Sequence, residues 1–188
     1  MTRRLIVQQL MSIDGFVADP DGGTGFFEVV DDYSEVDAAN LAALRDVDTI
    51  LLGRLTYELF EQYWPTATDE PAAPLVNGAQ KFVYSTTLAT APWGDDTVPV
   101  IADDPARHVR ELLRRPGGDV VVWGSLSIMA ALLEADLVDE LQLRIVPVTL
   151  GDGIRLPAPA ELRPFMLLDA RSFGCGIVGL TYSRPKRR

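Results

Sequence analysis

Two glycine-ended segments hold the residues of this chain whose types and spacing could do chemistry. An apolar, strand-like run ends at Gly53 and a helix-like run opens at Arg54, and the same pattern recurs at Gly124 and Ser125. The first N–H groups of a helix have no partner inside it, and the helix dipole adds positive charge there. Each turn is therefore a ready anion site, and two of them in one sheet could hold a long phosphorylated ligand.

The side chains beside these turns have the chemistry that an anion site needs. Arg54 adds a fixed positive charge and Thr56 a hydroxyl, and both suit a phosphate or pyrophosphate group. After the second glycine, Ser125 and Ser127 flank backbone N–H groups that we expect to be free. Two plainer interpretations stay open, in which Arg54 is an ordinary surface arginine and Ser125 an ordinary N-cap serine.

Two more polar segments follow predicted strands. Asp14 lies in a Ser-Ile-Asp-Gly segment after the first strand, while Ser85 and Thr86 follow the apolar run KFVY. Ligands of open α/β sheets sit beyond the carboxyl ends of the strands, so Asp14 is placed to touch a substrate and the hydroxyls could bond a phosphate. The alternatives are a turn aspartate that orders its own loop and an ordinary polar loop at 85–87.

Hydrophobic periodicity and turn residues predict the elements that must position these groups. Ser34 and Asp37 resemble a capping box, and Asp104 resembles an N-cap before Pro105 at the first helical position. Residues 12–33 are expected to be a loop. The predicted strands are 4–11, 48–53, 81–85, 97–101, 119–123, 140–146, 165–172 and 177–183, and the predicted helices are 35–46, 55–64, 105–115 and 125–135.

This order of elements predicts an α/β fold. Helical crossovers imply parallel strands, and the glycine-rich turn at 174–176 implies an antiparallel hairpin. We therefore expect a central mixed, mainly parallel sheet with helices on both faces and a C-terminal antiparallel hairpin. The chain is interpreted as a single domain over 1–188, with a basic tail at 184–188.

Composition excludes several classes of partner. The chain has 188 residues and a formal net charge of −10, which argues against nucleic acid and anionic membranes as partners. The single cysteine, Cys175, cannot form an internal disulfide, so a cytoplasmic protein is expected. With one histidine, His108, no metal site is expected, and we place that residue on a helix surface rather than in a catalytic role.

Four segments together resemble the dihydrofolate-reductase-like superfamily: 12–19 (SIDGFVAD), 50–60 (ILLGRLTYELF), 81–88 (KFVYSTTL) and 117–156. They look most like the reductase domain of the bifunctional deaminase-reductase of riboflavin biosynthesis and its stand-alone relatives, although no deaminase domain is present. The resemblance covers residues 3–183. It implies a dihydrofolate-reductase-like three-layer fold, often a homodimer, with NADPH as the hydride donor.

The resemblance also implies roles for individual residues. Asp14 would lie near the nicotinamide and the substrate. True dihydrofolate reductases carry a pterin-anchoring acid on the first helix, and the acids available in this region are Glu28, Asp31, Asp32 and Glu35. Asp14 and Asp32 are the predicted catalytic residues. The predicted cofactor-binding residues are Gly53, Arg54, Thr56, Ser85, Thr86, Gly124, Ser125, Leu126, Ser127 and Ile128.

The sequence thus predicts an NADPH-dependent reductase of a small pterin- or pyrimidine-like heterocycle, acting by hydride transfer. Asp14, an acid within 28–35 or a bound water would supply the proton. One alternative is an NADP(H)-binding module without reductase activity, and another is a purely structural dimeric protein.

Overall fold

The computed structural model describes residues 3–185, which form a central eight-stranded sheet, two short two-stranded sheets and five α-helices. The strands are β1 (Leu5–Ser12), β2 (Phe16–Ala18), β3 (Val47–Gly53), β4 (Gln80–Tyr84), β5 (Pro92–Trp93), β6 (Asp96–Thr97), β7 (Val100–Ile101), β8 (Asp119–Trp123), β9 (Glu140–Val146), β10 (Ile154–Arg155), β11 (Met166–Ser172) and β12 (Val178–Ser183). The helices are α1 (Ser34–Leu44), α2 (Arg54–Tyr63), α3 (Ala73–Gly78), α4 (Pro105–Leu112) and α5 (Leu126–Glu134), with 3-10 turns at Gly25–Val29 and Trp64–Thr66.

The central sheet has the strand order β11-β12-β9-β1-β8-β3-β4-β7. Its members from β9 to β7 are parallel, while β12 joins β9 and β11 in antiparallel pairs. The predicted mixed, mainly parallel sheet with a C-terminal hairpin is therefore confirmed. Because parallel strands share one direction, β1, β8, β3, β4 and β7 all end at the same edge of the sheet, where their loops can form a common site.

Helices cover both faces of the sheet, as predicted. Ile50 and Leu52 of β3 pack in one apolar cluster with residues of α1, α2 and α3, whereas Leu51 packs in another with residues of α4 and α5. Successive strand residues point to opposite faces, so α1, α2 and α3 lie on one side of the sheet and α4 and α5 on the other.

Strand β9, which the sequence predicts at 140–146, alternates apolar and polar residues, and two of its polar side chains are buried. Gln142 and Arg144 are only 8% and 7% exposed. Gln142 Oε1 accepts a 2.9 Å hydrogen bond from Gln8, and Arg144 donates to Asn40 of α1 over 3.3 Å. A polar layer therefore fills the space between α1 and the sheet beside the main apolar cluster.

Several local predictions differ from the structure. Helix α1 begins at Ser34 with Tyr33 in the N-cap position and no side-chain cap, so the predicted capping box is wrong. The side chain of Asp32, just before the helix, binds its first N–H group instead, because Asp32 Oδ1 accepts the Ser34 N–H over 2.8 Å. The Asp104 cap is confirmed by its bond from the Ala106 N–H, although α4 ends at Leu112 rather than 115.

Long-range pairing explains the other differences. The predicted loop 12–33 contains β2, which exists because it pairs antiparallel with the distant β10. The predicted strand 97–101 divides into β6 and β7, which belong to different sheets. Arg184 of the predicted basic tail is bound to Asp139 over 2.9 Å, and residues 186–188 lie outside the described residues. Over residues 3–185, no helix combines the length and the hydropathy needed to cross a membrane.

Candidate active site

A cleft of about 1550 Å³ opens along the shared carboxyl edge of the parallel strands. One part of it, which we call the turn end, is lined by the two glycine turns and by the loop after β4. The other part, which we call the α1 end, is lined by Gln8, Asp37, Asn40, Trp64 and Glu70. Every predicted cofactor-binding residue lines this cleft: Gly53, Arg54, Thr56, Ser85, Thr86, Gly124, Ser125, Leu126, Ser127 and Ile128.

The two glycine turns are joined directly by a hydrogen bond. The Gly53 N–H donates to Ser125 Oγ over 2.7 Å, and that oxygen also lies 3.1 Å from Thr56 Oγ1. Ser125 is 5% exposed and its side chain does not cap α5. The interpretation of Ser125 as an ordinary N-cap serine is therefore wrong, because its hydroxyl holds the neighbouring turn instead.

Close approach at Gly53 and a left-handed backbone at Gly124 explain why both turns carry glycine. A Cβ on Gly53 would lie 3.3 Å from the Ser125 Cβ, so the neighbouring turn would have to shift. Gly124 has a φ of 59°, a left-handed conformation that side chains disfavour, and a Cβ there would lie 3.7 Å from Thr56. The two helix N-termini therefore meet in one small region of the turn end.

The residues of the turn end fit a phosphorylated cofactor. Neither α2 nor α5 has a side-chain cap, so the N–H groups of their first turns are available to an anion. Arg54 supplies the positive charge, although its guanidinium forms two bonds of 2.8 and 2.9 Å with Glu58. Because that ion pair is solvent-exposed, a phosphate can compete for the guanidinium.

The hydroxyl loop after β4 is partly self-bonded. Ser85 Oγ accepts the N–H groups of Thr87 and Leu88 over 3.1 and 3.0 Å, which holds the loop in a fixed turn. Thr86 is exposed and lines the cleft beside it. An ordinary polar loop at 85–87 and a phosphate-binding loop are therefore compatible interpretations, because the ordered loop also places Thr86 at the rim of the cleft.

Asp14 does not line the cleft, and its carboxylate is already engaged. It accepts hydrogen bonds from the Ser12 hydroxyl over 2.6 Å and from the backbone N–H groups of Leu150 and Gly151 over 3.1 and 2.7 Å. These bonds, led by the Ser12 hydroxyl, lower the pKa of Asp14 to about 2. The structure therefore shows Asp14 ordering its own loop, as the alternative interpretation had it, and its role toward a substrate stays a prediction.

The acids that precede α1 are also directed elsewhere. Asp32 binds the Ser34 backbone, which lowers its pKa, and it does not line the cleft. Glu35 accepts the Gly174 N–H over 3.0 Å. Neither Glu28 nor Asp31 is among the cleft-lining residues. The structure thus does not bring the predicted catalytic residues Asp14 and Asp32 together at the cleft.

Among the acids between residues 28 and 37, Asp37 lines the cleft, and the sequence interpretation had assigned it to a capping box. Asp37 lies on α1 and lines the α1 end together with Glu70. Partial burial raises the pKa of Asp37, and the nearby carboxyls of Glu70 and Asp32 raise it further. The position of Asp37 one turn into the first helix was the sequence signal that could have identified it as a cleft residue. The sequence interpretation assigned Asp37 to a capping box instead.

His108 differs from its prediction as well. It is half-buried rather than on the surface, with Nδ1 2.8 Å from the Tyr84 hydroxyl and its ring packed against Phe82. Burial lowers the pKa of His108, with Arg115 adding to the effect. The residue does not line the cleft, so its expected lack of a catalytic role stands as a prediction.

A mainly parallel sheet of this order, with a cleft across its strand ends, defines a dihydrofolate-reductase-like fold. The dihydrofolate reductase of Enterococcus faecalis, solved with NADP(H), is 14% identical and has a TM-score of 0.68, and the similarity covers 99% of both chains. Residues 3–179 match the RibD C-terminal domain family, and the chain belongs to that family.

Two further relatives match almost the whole chain. The Bacillus subtilis protein YyaP, whose function is uncharacterized, is 30% identical over 185 residues, which are 96% of this chain and 94% of YyaP. A protein named for riboflavin biosynthesis from Shewanella sp. PV-4 has 22% identity and a TM-score of 0.80, over 97% of this chain and 99% of its own.

A third similar solved structure is a bifunctional protein from Thermotoga maritima. It is named as a deaminase and 5-amino-6-(5-phosphoribosylamino)uracil reductase, and it is 14% identical with a TM-score of 0.67. The similarity covers 98% of this chain but 57% of that protein. At these identities the solved structures establish a shared fold, and the family membership supports a reductase-type protein of pyrimidine or pterin chemistry.

Proposed function

We propose that this protein is an NADPH-dependent reductase that transfers a hydride to a small pterin- or pyrimidine-like heterocycle. The observation that carries the proposal is the Gly53–Ser125 hydrogen bond, which joins two uncapped helix N-termini inside one cleft. Two adjacent anion sites suit the phosphates of a dinucleotide better than a single phosphate. Membership of the RibD C-terminal domain family supports the same conclusion.

The turn end would hold the cofactor. The free N–H groups at the starts of α2 and α5 would donate to the pyrophosphate, with Thr56 and Ser127 as further hydroxyl donors. Arg54 and the loop of Ser85 and Thr86 would bind the adenosine ribose and its 2′-phosphate. Bound NADPH supplies the hydride, and the protein supplies orientation and a dry site. The single cysteine suits the reducing cytoplasm that we propose as the location.

The α1 end would hold the substrate, and Asp37 would donate the proton there. A carboxyl with a raised pKa keeps its proton to a higher pH than an ordinary aspartate, which favours a role as proton donor. This role passes to Asp37 because the carboxylate of Asp14 is engaged by Ser12, Leu150 and Gly151.

Asp14 would act as a positioning residue for the wall of the cleft. Its bonds to the backbone of Leu150 and Gly151 anchor the segment that leads into β10. Strand β10 pairs with β2, and Ala18 and Ile154 from this pair line the cleft. A fixed wall here would help to exclude water from the reacting atoms.

The alternative is an NADP(H)-binding module without reductase activity. It is favoured by the observation that Asp14 and Asp32, the predicted catalytic acids, do not line the cleft. Both proposals assign cofactor binding to the turn end. They differ only in whether a substrate is reduced at the α1 end.

The test titrates NADPH against the purified protein while nicotinamide fluorescence is followed, and then measures NADPH oxidation with pterins, flavin precursors and quinones. Saturable binding with oxidation of one ring compound supports the reductase. Saturable binding without oxidation across the panel supports the binding module, and no saturable change at high micromolar cofactor contradicts both.

We also propose a homodimer formed by the edge strand β11. All seven residues of Met166–Ser172 are exposed, including the apolar Leu167 and Leu168, and this strand ends the sheet. An exposed apolar edge favours pairing with another strand. Antiparallel pairing of two copies about Ala170 would set Asp169 opposite Arg171 of the partner subunit, twice by symmetry, whereas pairing about Asp169 would oppose like charges.

A further inference from the structure

We propose that the α1 end of the cleft binds a planar ring that carries no phosphate. The inference rests on the proposed function, because it names the substrate class of that same site. Three independent features of the α1 end support it: the charges around it, the aromatic wall beside it and the amide groups at its floor.

The cleft-lining cation and two of the cleft carboxyls lie at opposite ends, and a third carboxyl of the lining, Asp103, is ion-paired with Arg107. Among the cleft-lining residues within the described part of the chain, the cation is Arg54, which belongs to the turn end at the start of α2. The α1 end carries the carboxyls of Asp37 and Glu70, which lie close enough for Glu70 to raise the pKa of Asp37. A phosphate brought to this end would meet two carboxyl groups and no cleft-lining cation, because Arg144 bonds to Asn40 but does not line the cleft, and such binding is unfavourable.

The wall of the α1 end is aromatic. Trp64 and Trp123 line the cleft with their rings stacked at a centroid distance of 6.3 Å and an interplanar angle of 24°. Phe60 meets them edge-on, at centroid distances of 6.2 and 5.7 Å. Flat aromatic surfaces bind flat rings by stacking and edge contacts. The Trp123 Nε1 is buried without a hydrogen-bond partner among the described residues.

The floor of the α1 end presents paired amide groups. Gln8 Nε2 donates to Gln142 Oε1 over 2.9 Å and approaches Asn40 Oδ1 at 3.3 Å, which fixes the orientation of both amides. Within residues 3–185, these bonds leave Gln8 Oε1 as an acceptor and Asn40 Nδ2 as a donor. Both residues line the cleft, and a donor and an acceptor in one region match the ring N–H and ring carbonyl of a cyclic amide.

The Thermotoga maritima protein of similar fold is named for a substrate that carries a phosphoribosyl group, whereas the features of the α1 end favour a ring without a phosphate in this chain. A planar lactam ring fits the amide floor and the aromatic wall, while a phosphate on that ring would enter the field of Asp37 and Glu70. The same scaffold would thus serve an unphosphorylated ring in this protein.

The test compares ring compounds that differ only by a phosphate: riboflavin against riboflavin 5′-phosphate, and uridine against uridine 5′-phosphate. Equilibrium dialysis of the full chain without cofactor, at mildly alkaline pH, gives the dissociation constant of each. We expect the unphosphorylated member of at least one pair to bind about ten-fold more tightly or better. Equal binding, preference for the phosphorylated members, or no binding of any of the four overturns the proposal.

Two variants assign the discrimination to its cause. The double variant Asp37→Asn, Glu70→Gln removes both carboxylates while the new amide at position 70 keeps an acceptor for the Tyr63 hydroxyl, and we expect the preference to fall to about three-fold or less. The second variant, Trp123→Phe, replaces the indole of the aromatic wall by a smaller ring, and we expect it to weaken the binding of both members of a pair equally. The control Asp95→Asn removes an exposed carboxylate outside the cleft and should leave the preference unchanged. A preference that persists in the double variant overturns the assignment to these carboxyls.

A separate NADPH titration distinguishes this inference from the proposed function. Ring discrimination without NADPH binding would support the inference and contradict the reductase. NADPH binding with a preference for the phosphorylated rings would contradict the inference and leave the reductase intact.

Discussion

Gly53 and Ser125 are 72 residues apart in the chain, yet the Gly53 N–H donates to Ser125 Oγ over 2.7 Å in the buried part of the cleft. This bond ties the start of α2 to the start of α5. It makes one binding region from two turns that belong to separate strand–helix units.

Replacing Ser125 by alanine should weaken both the fold and the cofactor site. The change leaves the buried Gly53 N–H without an acceptor, which costs about 1–3 kcal/mol of unfolding free energy. We expect NADPH affinity to fall at least about ten-fold, because the two turns are no longer held together. Urea unfolding and NADPH titration measure the two effects, and Ser127→Ala is the control for the unfolding free energy alone, because Ser127 is itself a proposed cofactor donor. That exposed serine should leave the unfolding free energy within about 0.5 kcal/mol.

Arg54→Ala should weaken NADPH far more than NADH, because the guanidinium is proposed to bind the 2′-phosphate that NADH lacks. The companion variant Glu58→Gln releases Arg54 from its ion pair and should leave NADPH affinity equal or higher. Fluorescence titration of the native protein and of both variants with NADPH and with NADH gives the six affinities. An equal loss for NADPH and NADH in Arg54→Ala would mean that Arg54 does not contact the 2′-phosphate.

Asp37→Asn should lower kcat/KM by about 10²-fold or more if Asp37 donates the proton. In the native protein the reactive form is protonated, so kcat/KM should fall as pH rises through a pKa above that of an ordinary aspartate. The variant should lose this limb of the pH profile while NADPH affinity stays constant. Asp31→Asn, an exposed acid outside the cleft, is the matched control. An unchanged profile in Asp37→Asn would exclude this role.

Asp14→Asn should loosen the segment around Leu150 and Gly151 and lower the thermal stability at neutral pH. Folding lowers the pKa of Asp14 from 3.8 to about 2, so its stabilising contribution is present above pH 3.8 and is lost as pH falls toward 2. The melting temperatures of the native protein and the variant should therefore converge in acid. Asp21→Asn, in the neighbouring exposed loop, should track the native protein throughout.

A charge swap on β11 should control the proposed dimer. Asp169→Arg would place like charges opposite each other about Ala170 and should shift the protein to monomer, whereas Asp169→Arg with Arg171→Asp should restore the dimer. Sedimentation equilibrium over a range of concentrations measures the association. A monomeric native protein, or a dimer insensitive to both changes, would contradict β11 pairing.

The sequence alone determined the long strands of the central sheet, the helices α1, α2, α4 and α5, and the turn end, because these depend on local patterns. Apolar runs that end at Gly53 and Gly124 mark a strand, a tight turn and a helix start within a few residues. Parallel pairing of β3 and β8 then necessarily places both turns at one edge of the sheet. The fold class and the residues that line the turn end of the cleft were therefore predictable.

Only the tertiary structure decided which acid reaches the cleft and what Ser125 does. Local sequence treats Asp14, Asp32 and Asp37 as equivalent, since each is a carboxylate near a turn or a helix start. The bonds from Leu150 and Gly151 engage Asp14, and the position of α1 over the sheet brings Asp37 to Glu70. Such pairings join residues far apart in the chain, and their geometry exists only once the elements have packed.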